Sequence, residues 1–218
     1  MGFALVRFIG KLIITLALLA GVGYSQNTST KTYLFERIPN ELGLSQNYIW
    51  ALCQDREGFI WAGTRDGLNR FDGYRFKTFT HEPKDPASLS YNDILTLFVD
   101  SKGRLWVGTA KGLNVYDHKT ETFVRLNAEN AQLNKQAFCE ITEDEYGNIW
   151  AGTLLGKVYR LKFDTEKNDI KWVAIQLQTV GEEMTNPEFL SLVAEPGGAL
   201  WAMQMERIFL VTSNDEQL

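Results

Sequence analysis

Histidine and cysteine are scarce, with two of each in 218 residues, and lysine and arginine form no cluster. An acidic chain of formal charge −5 without a basic patch is a poor partner for nucleic acid. Past residue 25 there is no apolar run long enough to cross a membrane. What is plentiful is aromatic: 12% Phe, Trp and Tyr, with six Trp, which argues against disorder and for a packed β-rich chain.

The first 25 residues read as a secretory signal peptide. Arg7 and Lys11 form a basic start, Leu12–Val22 is an apolar run too short to span a bilayer, and Gly23-Tyr24-Ser25 suits cleavage near Ser25–Gln26. The other reading is an uncleaved anchor that uses Gly2–Gly10 as well. Either way the chain is expected on the periplasmic side, with 26–31 as a linker. Removing residues 1–25 leaves 20 basic against 27 acidic side chains, a charge of −7.

The remainder is repetitive. "FIWAGTRDGLNRFDG" (59–73), "RLWVGTAKGLNVYD" (104–117) and "NIWAGTLLGKVY" (148–159) are variants of one phrase. Anchored on Trp61, Trp106, Trp150 and Trp201, the spacings are 45, 44 and 51 residues. Six before each anchor stands Asp55, Asp100, Asp144 or Glu195; two after stands Gly63, Gly108 or Gly152, followed by Thr. The fourth copy is degraded, with Met203-Gln204 in place of Gly-Thr. A period of this length means stacked supersecondary units. Units are expected at about 44–88, 89–132, 133–183 and 184–218, with a lone strand at 33–38.

Each unit is expected to hold four short antiparallel strands. Asp-x-x-Gly makes the first turn, Asp bonding nearby backbone and Gly taking positive φ; a second Gly-containing turn follows the Trp strand. That strand is apolar on both faces, Trp and Gly on one, Ile60/Ala62 or Leu105/Val107 on the other. A sheet covered on both sides by copies of itself is a β-propeller blade. The fold expected is all-β, an incomplete propeller of about four blades over 32–218. Trp61, Trp106, Trp150 and Trp201, with Gly63, Gly108 and Gly152, are then structural, each indole expected over a glycine of the adjoining blade.

Cys53 and Cys139 occupy apolar slots in non-adjacent units, so two buried free thiols are expected in place of a disulfide. No metal and no cofactor are expected: Asp-x-x-Gly lacks the alternating carboxylates of a calcium loop, even at the acidic Glu143-Asp144-Glu145.

The Trp-x-Gly-Thr-x-x-Gly-Leu-Asn core, with the Pro-Lys-Asp-Pro-x-Ser-Leu-Ser linker inside "FKTFTHEPKDPASLSYNDI" (76–94), resembles the two-component regulator propeller repeat over about Leu44 to Val211. The resemblance implies the extracytoplasmic sensor region of bacterial hybrid two-component regulators. It implies paired seven-bladed propellers, an immunoglobulin-like domain, one membrane helix, then kinase, receiver and helix-turn-helix parts. Members of that family often sense fragments of polysaccharides. Four anchors fall short of seven blades, which need roughly 310 residues, and 33–38 would be a strand of a closing blade. The chain is therefore expected to be an N-terminal piece of such a sensor. Neither His81 nor His118 sits in a phospho-acceptor helix pattern, so kinase activity is not carried over. Membrane contact is expected only through the rest of a full-length sensor or an uncleaved leader.

Three functions follow. A ligand-sensing module, probing an oligosaccharide without catalysis, would use the loop end where Asn47, Tyr48, Trp50, Arg65, Asp66, Tyr91, Asn92 and Lys111 gather. A scaffold would bind protein, either the remaining blades or a homodimer partner. A propeller lyase or glycan-processing enzyme would need an acid/base set, for which only Glu140, placed in a first strand, stands out.

Overall fold

A computed structural model describes residues 33–35, 39, 42–126, 135–164, 166–167, 169–175, 189–196, 199–204 and 207–211. The leader lies outside them. Among the described residues no helix is long and apolar enough to cross a membrane. The chain divides into two compact units, Met1–Arg37 and Ile38–Leu218. In the first, Tyr33, Leu34 and Phe35 are exposed and carry no strand assignment. The rest of the strand expected there, 36–38, lies outside the described residues.

The second unit is all-β. Blade one holds β1 (Ala51–Gln54), β2 (Ile60–Thr64), β3 (Gly67–Phe71) and β4 (Phe76–Phe79). Blade two holds β5 (Ile94–Val99), β6 (Leu105–Thr109), β7 (Gly112–Asp117) and β8 (Thr122–Arg125). Blade three holds β9 (Phe138–Glu143), β10 (Ile149–Thr153), β11 (Val158–Asp164) and β12 (Asp169–Ile175). Blade four shows β13 (Phe189–Ala194), β14 (Leu200–Gln204) and β15 (Arg207–Val211). Strands pair antiparallel in chain order within each sheet. The architecture is that of an incomplete propeller.

The Asp-x-x-Gly turn is a cap built from one carboxylate. Asp100 Oδ1 accepts the N–H groups of Lys102 and Arg104 at 3.0 and 2.9 Å, while Oδ2 accepts the Trp106 indole at 2.8 Å. Asp55 holds Trp61 at 2.6 Å and Asp144 holds Trp150 at 2.8 Å in the same way. Gly103 takes φ +82°, open to glycine at no steric cost. One side chain thus satisfies a tight turn and the only polar atom of a buried indole.

Each Trp face lies on the opposite face of the next blade. Trp61 clusters with Leu105, Val107 and Tyr116; Trp106 with Ile149, Ala151 and Tyr159; Trp150 with Leu200 and Ala202. The expected indole-over-glycine contact is thereby corrected. The indole meets the apolar pair flanking the next Trp, and the glycine instead admits the next blade's first strand. A Cβ on Gly63 would sit 2.6 Å from Ile94 Cγ2, and one on Gly108 2.6 Å from the Phe138 carbonyl oxygen. Trp61, Trp106 and Trp150 are buried, whereas Trp201 is 39% exposed, no fifth blade following among the described residues. Cys53 and Cys139 are free and half-buried. Burial pushes their thiols up to about 12 and about 11 respectively.

Candidate functional site

In every blade the first strand begins where the second ends, so the lead-in segments and the β2–β3-type turns share one end. The Asp-x-x-Gly turns occupy the other. Adjacent blades are stitched at the shared end by backbone: Gly67 N–H donates to Asn92 O at 2.9 Å and Gly112 N–H to Gln136 O at 2.8 Å. These bonds bring the Arg65-Asp66 turn of blade one against the Tyr91-Asn92 segment of blade two.

Two cation–aromatic pairs stand there. The Arg65 guanidinium lies 5.3 Å from the centroid of Trp50, and Lys111 Nζ lies 4.1 Å from that of Tyr91. Trp50 is 55% and Tyr48 75% exposed, which leaves their rings open to stacking on a ligand. Trp50 N–H donates to Gly63 O at 2.9 Å, which fixes its backbone at the edge of blade one. Its counterparts, eleven before each later Trp, are Leu95, Cys139 and Leu190. In blades two to four the first strand shows a register shift at this position, so the residue there is an extra one, free of the ladder.

The remaining sequence-derived residues divide. Asp66 and Asn47 are exposed at the same end. Asn92 is structural: its Oδ1 accepts the His81 N–H at 2.6 Å, and His81 Nδ1 is 2.6 Å from Leu89 O. Gln46 was missed by sequence reasoning, though it varies within the aligned "LSQN" and "LSYN"; its Oε1 accepts the Arg65 N–H at 3.3 Å.

What fixes the loops is a buried polar set. Asn69 Oδ1 accepts the Ser45 N–H at 3.1 Å, its Nδ2 donates to Ser45 Oγ at 2.9 Å, and Ser45 Oγ lies 2.9 Å from Thr64 Oγ1. Blade two repeats this with Asn114, Ser90 and Thr109. The linker between the blades is equally tied: Arg125 donates to the carbonyls of Ser88, Asp85 and Leu89. Its lysine, aspartate and prolines therefore belong to a fixed connection.

Glu140 is half-buried, and desolvation raises its pKa. No hydrogen bond or ion pair reaches its carboxyl among the described residues.

The profile of the two-component regulator propeller family matches residues 43–66 and 88–111, the lead-in and Trp strands of blades one and two. The chain carries two-component regulator propeller repeats. A histidine kinase P4 of Formosa agariphila is 36% identical to this chain over 77 residues, 35% of this chain and 6% of that protein. The extracellular domain of a hybrid two-component system from B. thetaiotaomicron superposes with a TM-score of 0.68 at 26% identity, over 84% of this chain and 26% of that one. Virginiamycin B lyase from Staphylococcus aureus shares the propeller fold at 15% identity, with a TM-score of 0.54 over 77% of this chain and 53% of its own. The chain thus spans about a quarter of the hybrid-system domain and a small part of the kinase.

Proposed function

We propose that these repeats form a ligand-sensing propeller segment on the extracytoplasmic side of a hybrid two-component signalling system, without catalytic activity of their own. The ligand class we assign is a carbohydrate fragment. The observation that carries this reading is the exposed Tyr48–Trp50 platform with Arg65 stacked on it, next to Tyr91 and Lys111, at one end of two blades. Aromatic faces with nearby cationic donors suit sugar rings and their substituents. Trp50 has no aromatic counterpart in the other blades, whereas the structural Trp recurs in all of them. The likeness to sensor domains of hybrid systems supports the setting, and the signal-peptide pattern of residues 1–25 supports export.

Calorimetry of the full chain against an oligosaccharide panel tests it. At least one saccharide is expected to bind and to be recovered intact, with Trp50→Ala and Arg65→Ala each weakening it at least tenfold while leaving the melting temperature unchanged. Silence across the panel, or variants that bind as well as wild type, would overturn it.

A second reading, a protein-binding scaffold, is favoured by one surface. Val193, Trp201 and Leu210 are opposite one another in register, and with Met203 and Ile208 they leave blade four an exposed apolar face. Concentration-dependent dimerisation combined with silence across the panel would select it.

A further inference from the structure

At the Asp-x-x-Gly end, Asp55 and Glu57 of blade one meet His118 of blade two. One ligand atom from each lies within 4.8 Å of the other two. We propose that these three side chains bind a divalent metal ion of the zinc class, which bridges the two blades.

Four observations carry it. First, both ring nitrogens of His118 are buried and have no hydrogen-bond partner among the described residues. A buried imidazole normally satisfies at least one of them. Second, His118 Nδ1 is 3.6 Å from Glu57 Oε2, long for a hydrogen bond. Two ligands on one tetrahedral zinc, each bonded at about 2.0–2.1 Å, stand roughly 3.3 Å apart. Third, Asp55 is already oriented from behind. The Trp61 indole holds its Oδ2, and the Glu57 and Phe59 N–H groups hold its Oδ1, the outer support a metal-binding carboxylate requires.

Fourth, the set occurs once. Asp55 recurs as Asp100 and Asp144, but the position of Glu57 is Lys102 and Tyr146 in the next blades, and that of His118, by strand register, is Gly73 in blade one and Phe163 in blade three. Blade architecture explains Asp55 and leaves Glu57 and His118 unexplained. The neighbouring cation Arg70 is engaged by Glu121 at 2.9 Å, so it does not neutralise Glu57.

An imidazole with two carboxylates selects zinc-like ions over calcium or magnesium, which take mostly oxygen and more ligands. Glu57, exposed, opens the position to solvent and leaves a coordination place for water.

Metal-free full chain is titrated with Co2+, followed by visible absorption, and with Zn2+, followed by thermal melting. One equivalent of Co2+ is expected to give a four-coordinate absorption band, and Zn2+ is expected to raise the melting temperature. Glu57→Gln and His118→Gln are each expected to weaken binding at least tenfold, while His81→Gln binds as wild type. Glu57→Gln alters an exposed group and is expected to melt like wild type without metal, so its loss of binding cannot be put down to misfolding. Absence of saturable binding would overturn the proposal. So would binding undiminished in both variants, or binding that disappears with His81.

Discussion

Blades one and two close their polar interior with a serine, a threonine and an asparagine; the sequences of blades three and four do not repeat that trio. In blade three Tyr159, paired with Ala151, stands where Asn69 and Asn114 pair with Ala62 and Val107, and in blade four Met203-Gln204 replace Gly-Thr. Blade three nevertheless buries Trp150, keeps the Asp144 cap and pairs all four strands. The Asp–Trp pair and the apolar flanks are therefore sufficient for a blade. The Ser–Thr–Asn set does something else: it ties the lead-in segment to the sheet through the Ser45 and Ser90 N–H groups. Those are the segments that present Gln46–Trp50 and Tyr91-Asn92. The family profile matches in these two blades. The two blades that hold the candidate recognition surface have their lead-in segments fixed in this way.

The largest effect expected from breaking this comparison is at Gly108. Its Cβ would lie 2.5 Å from Thr96 Cγ2 and 2.6 Å from a backbone oxygen, which cannot move aside as a side chain can. Gly108→Leu is expected to cost ~3 kcal/mol or more, about 10 °C in melting temperature. Gly63→Ala, which meets only the Ile94 side chain, is expected to cost less. Equal melting of both variants and wild type would separate the glycines from packing.

Next is the carboxylate cap. Asp100 is buried and binds two backbone N–H groups, the Trp106 indole and Arg104 at 2.6 Å. Asp100→Ala strands these donors and is expected to cost about 3 kcal/mol. Glu195, exposed and bonded to the half-open Trp201 at 2.8 Å, is expected to cost under ~1 kcal/mol as Glu195→Ala. Urea denaturation of the pair measures the difference, and equal losses would contradict the contrast between blades.

The effect that is smallest at neutral pH concerns Cys53, aligned with Val193 of blade four. Burial, helped by Asp55, raises its thiol from 9.0 to about 12 in the fold. A raised folded pKa gives stability that is complete below the unfolded value and lost as pH climbs toward the folded one. Wild type is therefore expected to lose stability relative to Cys53→Val between about pH 9 and pH 12, and a flat difference across that range would refute the burial.

Much of the blade was legible because its signals are local. Asp-x-x-Gly, the two-residue alternation around Trp and the Gly-containing turns each act within a few residues, and their recurrence fixed the period. The extra residue at Leu95 and Cys139 was not legible, since a bulge shows only in the partner strand's register. Nor was the packing partner of each indole, which belongs to the next blade. The candidate site was legible as a loop end, through Trp50, Arg65, Tyr91 and Lys111. Which of its residues are structural was not: Asn92 looks like a polar ligand residue until His81 is found bonded to it. The junction of Glu57 with His118 joins residues far apart in the chain, and no local pattern announces it.

Recurring residues serve blade-to-blade packing, while unrepeated ones face outward. Hydrogen exchange at the indole N–H groups, resolved residue by residue by NMR, tests this division most directly. Trp61, Trp106 and Trp150 are expected to be strongly protected, with Trp50 and Trp201 exchanging orders of magnitude faster. Rapid exchange at Trp61, Trp106 and Trp150 alike, in a chain that is otherwise folded, would contradict the account.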